Sequence, residues 1–345
     1  MNNCRIFLFL LVITTSSICS ALEFPELDDS TEIEVVISYE ITPADKSLSD
    51  SNDAAGYQFK LTVNLPQTIE GRQEVRKIYF EPSPSRTFIQ NDCKYAEYEI
   101  TVPKEKMVIK IRIEAMAFRY DLTTAMKEQN KDSLSQDELK PFLRHERMIE
   151  KNAPIIQKIS QTIEGKAEVE TVKKIYKYVI RNTIIDASQS KGVGAVKTAQ
   201  TKKGKCIDYC DLFVALCRAR NIPARVAAGL KTNFMISAKH SWAEVYFKQY
   251  GWVPFEVSTR NDNPEELLDW RFENLPPNYL CFTYLRNDPV LHNNYFFCYP
   301  IWDMDLRKVI NPIAEKIEFE KPSREKHDSQ EIERKRRVEA TERTK

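Results

Sequence analysis

Three residue types in one stretch of this chain can do acyl-transfer chemistry together. Cys206 follows Gly204-Lys205 and opens an expected helix. The first turn of a helix carries unpaired N–H groups and partial positive charge, and both favour a nucleophilic thiolate. His240 opens the strand-like run His240-Ser241-Trp242-Ala243-Glu244-Val245-Tyr246-Phe247. A strand holds its side chains rigidly, as a general base requires. Glu256 closes Trp252-Val253-Pro254-Phe255-Glu256, and a turn through Gln249-Tyr250-Gly251 returns it beside His240. Taken singly, these residues have ordinary alternatives: a packing thiol, a polar residue at a strand edge, a surface charge. Together they form a nucleophile, a base and an orienting carboxylate, the set that attacks a carbonyl and forms an acyl-thioester.

Neighbouring thiols read differently. Cys210 and Cys217 lie deeper in the same helix, on an apolar stripe with Phe213 and Val214, and read as packing residues. Cys206 and Cys210 are four apart with His240 available, which raises a zinc site. No second close Cys or His pair completes four ligands, so neither metal nor cofactor is expected.

The elements that position the three residues follow from periodicity. A helix after Gly165 shows Val169, Val172, Ile175, Tyr176, Val179 and Ile180 at threes and fours, and residues 186–205 read as a loop. The Cys206 helix should end at Asn221, a residue that tolerates a left-handed cap, with Pro223 barring continuation. Residues 224–230 read as a buried strand, and 239–247 with 252–256 as a hairpin. Upstream, Phe59-Leu61-Val63-Leu65 and Met107-Ile109-Ile111-Ile113 alternate with polar neighbours, the period of half-buried antiparallel strands. A sandwich of about seven strands fits residues 22–120. Residues 121–165 read as a helical connector, 166–312 as the domain that carries the chemistry, and 313–345 as a charged, solvated tail.

The chain has 345 residues and a net charge of +1, from 51 Lys plus Arg against 50 Asp plus Glu. That balance excludes a nucleic acid as the main partner, which would need a basic excess. Glycine is scarce at 8 residues, where average usage would give about 24. Five of them fall between 192 and 251, so demanding backbone geometry is concentrated around the reactive residues. Residues 1–21 have the order of a cleavable signal peptide: Arg5, the apolar run Ile6 to Ile13, then small and polar residues to Ala21. The run is too short to span a bilayer, and no stable membrane insertion is expected. A secreted or periplasmic chain would keep six cysteines, of which Cys281 and Cys298, in two aromatic strand-like runs, could pair.

The blocks Gly204-Lys205-Cys206-Ile207-Asp208-Tyr209, Asp211 to Arg218, and Asn221-Ile222-Pro223-Ala224-Arg225-Val226 resemble the core of the transglutaminase-like superfamily. Lys239 to Tyr246 and Gly251 to Phe255 resemble its second and third blocks. The resemblance covers about residues 166–260. It implies an α+β fold with a papain-like core, in which the Cys-bearing helix packs on an antiparallel sheet, here preceded by the all-β domain. It also implies Cys206 as nucleophile, His240 as base and Glu256 as third member. The family usually has Asp at that third position and Gly at the place of Asn221. On this resemblance the expected activity is that of an exported thiol enzyme acting on peptide or protein amides. Hydrolysis is favoured over cross-linking, because water is the default acceptor and no calcium-loop pattern is present. The Cys206 N–H would be one oxyanion donor. The alternative is a transglutaminase-like module that binds peptide or glycan without turnover.

Overall fold

The computed structural model describes residues 27–44, 57–128, 133–186, 188–189, 191–232, 238–293, 298–300 and 309–320. The signal-peptide segment therefore lies outside the described residues. Six strands come first: β1 (Ser30–Ile41), β2 (Gln58–Leu65), β3 (Gln73–Glu81), β4 (Arg86–Gln90), β5 (Cys93–Thr101) and β6 (Met107–Phe118). Period 2 decides which face is inward. Ile33, Val35, Ile37, Tyr39 and Ile41 of β1 and Ile109, Ile111 and Ile113 of β6 are all buried. β1 and β6 pair antiparallel from Ser30↔Phe118 to Ile41↔Met107.

The second unit is built on α1 (Pro154–Gln161), α2 (Glu168–Asn182), α3 (Ala195–Thr201), α4 (Cys206–Ala219), β7 (Ala224–Lys231), β8 (Lys239–Phe247), β9 (Gly251–Phe255), α5 (Glu265–Glu273) and β10 (Tyr279–Thr283). Its sheet has the order β9-β8-β7-β10, antiparallel throughout. α4 is buried along almost its whole length, its charged Asp208, Asp211 and Arg218 included; Tyr209, Leu212, Phe213 and Leu216 are each at most 1% exposed. It packs with α2 and with Ala243, Val245, Phe247, Val253 and Phe255 of the sheet in one core. The fold is α+β, a Cys-bearing helix against an antiparallel sheet.

The chain then returns to the first unit through β11 (Cys298–Pro300) and β12 (Ala314–Glu320). Two four-stranded sheets result, β12-β1-β6-β3 and β11-β2-β5-β4, with one apolar core. Three expectations are corrected here. The charged tail expected from residue 313 instead contributes a strand paired with β1 over Glu34↔Glu320 to Glu40↔Ala314. Lys316, Glu318 and Glu320 fall on the outer face, so Ile317 and Phe319 still reach the sandwich core. The segment 121–165 is not a separate connector. It carries only short helical pieces, and Ile149, Ile156 and Ile163 are buried in the same core as α4. The loop expected over 186–205 holds the short helix α3, whose Ala195 and Thr198 are buried.

Candidate active site

The start of α4 is fixed by one buried carboxylate. Asp208 accepts hydrogen bonds from the backbone N–H groups of Lys205 (2.8 Å), Val193 (2.5 Å) and Gly194 (3.1 Å). It thereby caps the helix and ties the preceding loop to it. The close approach needs Gly204, where a Cβ would lie 2.6 Å from the Cβ of Asp208. Cys206 is the first helical residue and is half-buried, whereas Cys93, Cys210, Cys217 and Cys281 are buried free thiols. Burial pushes the thiols of Cys210 and Cys217 well up, and that of Cys281 to about 12. The pairing expected of Cys281 is not formed, since its thiol is free inside a different sheet from the strand of Cys298.

His240 is 1% exposed and sits opposite Gly229, whose missing side chain lets β10 approach. A Cβ at Gly229 would fall 2.0 Å from the Leu280 carbonyl oxygen. His240 Nε2 lies 2.6 Å from Glu256 Oε2, and the Cys206 thiol is close enough to help raise the imidazole pKa. With Nε2 held by the carboxylate, Nδ1 is the nitrogen left for sulfur. Burial works against charge on the imidazole. The Glu256 charge, with the Cys206 thiol and the hydrogen bond to Glu256, outweighs it, and the pKa is raised to about 9. Glu256 shows the converse: burial works against its charge, but the charges of His240 and Lys231 hold it well below the usual carboxylate range.

Glu256 is the most heavily bonded group of the site. Oε2 also accepts from Tyr279 Oη (2.7 Å) and Lys231 Nζ (3.0 Å). Oε1 accepts from the Ser258 backbone N–H (3.0 Å) and hydroxyl (2.8 Å). Each of the four strands, at the same end of the sheet, supplies or adjoins one member: Glu256 just past β9, His240 on β8, Lys231 on β7 and Tyr279 on β10. The structure thus brings Cys206, His240 and Glu256 together. It adds Lys231, Tyr279 and Ser258, for which the sequence carried no signal beyond Ser258 following the carboxylate closely. Chemically, the arrangement is a half-buried thiol near an imidazole that a carboxylate clamps and biases toward the protonated form.

The Cys-bearing helix on this sheet gives an α+β fold of transglutaminase-like type. Residues 156–257 match the family model of the transglutaminase-like superfamily. Over the whole fold the chain is similar to a candidate cysteine protease of solved structure from Cytophaga hutchinsonii, with TM-score 0.56 and 16% identity over 85% of this chain and 94% of that one. In sequence it is 23% identical to an uncharacterized protein of Haemophilus influenzae over 282 residues, 67% of this chain and 76% of the relative. It is 33% identical over 81 residues to the uncharacterized protein YebA of Bacillus subtilis, 19% of this chain and 11% of that relative.

Proposed function

We propose that the protein is an exported thiol enzyme that forms an acyl-thioester on Cys206 from peptide or protein amides and passes the acyl group to water. The observation that carries this reading is the half-buried Cys206 at the start of α4, near a buried His240 whose Nε2 lies 2.6 Å from Glu256. Cys206 Sγ attacks the carbonyl carbon with its proton held on the His240 ring. His240 then gives its proton to the leaving amine as the C–N bond breaks. The neutral ring next takes a proton from water, which attacks the thioester and releases the acid. The Cys206 N–H, at the first helical position, is aimed as an oxyanion donor. The superfamily match over 156–257 supports a cysteine-type reaction. Export rests on the residue order of 1–21. No helix among the described residues is long and apolar enough to cross a membrane.

The test is release of new amino termini from a peptide library. Wild-type protein should generate them and Cys206→Ala should not, with both variants equally folded by circular dichroism. Equal release by the two would exclude Cys206 chemistry. Binding of peptide without release would favour the non-catalytic module.

A further inference from the structure

The donors on Glu256 Oε2 come from three different strands. His240 approaches Oε2 from β8 at 2.6 Å, while Lys231 and Tyr279, paired directly across β7 and β10, approach it at 3.0 and 2.7 Å. The Lys231 ammonium also lies over the Tyr279 ring, 4.8 Å from its centroid. Two cations therefore share one carboxylate oxygen, about 6 Å or less from each other. To reach β7 and β10 from a position beyond β9, the carboxylate crosses the end of β8. This gives the longer Glu, in place of the family's Asp, a physical role.

Resting on the acyl-transfer reading above, we infer that Lys231 and Tyr279 are positioning residues that hold Glu256 and set how much of its charge reaches the imidazole. Tyr279 fixes the carboxylate in place as a neutral donor. Lys231 competes with His240 for the same negative charge and repels the imidazolium, so it limits the basicity of the ring. The other titratable or charged groups acting on the cluster are Cys206 and Cys210 on α4, Tyr176 on α2 and Arg271 on α5. None of these donates to Glu256 Oε2 among the described residues, so none shares it as Lys231 does.

The experiment follows the His240 imidazole by NMR through a pH titration in wild type, Lys231→Met, Lys231→Arg and Tyr279→Phe. It is paired with the pH dependence of iodoacetamide labelling at Cys206. Removing the competing cation should raise the His240 midpoint by roughly one pH unit in Lys231→Met. Lys231→Arg should restore the wild-type midpoint. Tyr279→Phe should broaden the Glu256 positions and lower kcat more than it raises KM. An unchanged or lowered midpoint in folded Lys231→Met overturns the inference. The midpoint is read without turnover, so this failure is distinct from failure of the enzyme reading, which would show as wild-type protein that forms no acyl-enzyme.

Discussion

His240 Nε2 and Glu256 Oε2 stand 2.6 Å apart at the ends of neighbouring strands, both almost wholly enclosed by protein. The pair fixes the orientation of the imidazole. On the proposed acyl-transfer reading, the negative charge at 256 holds the tautomer and stabilises the imidazolium. Glu256→Gln should therefore leave the fold intact and lower turnover by on the order of 10² to 10⁴. Steady-state kinetics on a peptide substrate, with circular dichroism as control, reads this. Wild-type turnover would make Glu256 structural only.

The same pair makes stability depend on pH. His240 is raised to about 9, so its contribution is full below the unfolded value of about 6.5 and is lost as pH climbs through 9. Glu256 is depressed, so its contribution is present above about 4.5 and is lost as pH falls through its low folded value. The stability gap between wild type and Glu256→Gln should be widest near pH 5 to 6.5 and should narrow toward pH 9. Denaturant midpoints across this range would show it, and a gap that widens with rising pH contradicts the assignment.

The sandwich is tied to the sheet of the second unit by a buried ion cluster. Glu244 on β8 pairs with Arg72, just before β3, at 3.3 Å, and with Arg225 on β7 at 2.7 Å. Arg225 is stacked between the Tyr284 and Trp252 rings, with centroids at 3.4 and 4.0 Å. Removing the shared carboxylate strands two arginines in a site where they are mostly enclosed. Glu244→Ala should cost about 3 to 5 kcal/mol in chemical denaturation. A loss under about 1 kcal/mol would mean that the cluster is loosely held.

Among the thiols, Cys206 should react first. Cys93, Cys210, Cys217 and Cys281 are buried, and burial raises each of them. Limiting iodoacetamide at pH 6, followed by peptide mapping, should place most of the label on Cys206. Faster labelling of Cys93 or Cys281 would contradict this.

Much of the architecture was legible because it is periodic. Ile109, Ile111 and Ile113 alternate along β6, and Asn221 with a φ of +60° ends α4 two residues before Pro223, as the cap chemistry implies. The hairpin that returns Glu256 beside His240 was legible from Gly251, which takes a φ of +71°. β12 was hidden because Glu315, Lys316, Glu318 and Glu320 surround Ile317 and Phe319, and a one-sided edge strand with so few apolar residues looks like a solvated tail. Lys231 and Tyr279 were invisible for another reason. Their meeting at Glu256 is produced by the register Lys231↔Tyr279, set by a bulge at Ala228/Gly229, and register between distant strands leaves no local mark in sequence.

The most direct test of the account is to trap the acyl-enzyme. The wild-type protein, incubated with electrophilic peptides and quenched in acid, is digested and read by mass spectrometry. The account predicts one peptide adduct, on Cys206, absent from Cys206→Ala and strongly slowed in His240→Ala. An adduct on another cysteine, or none on Cys206 while the protein cleaves peptides, would contradict it.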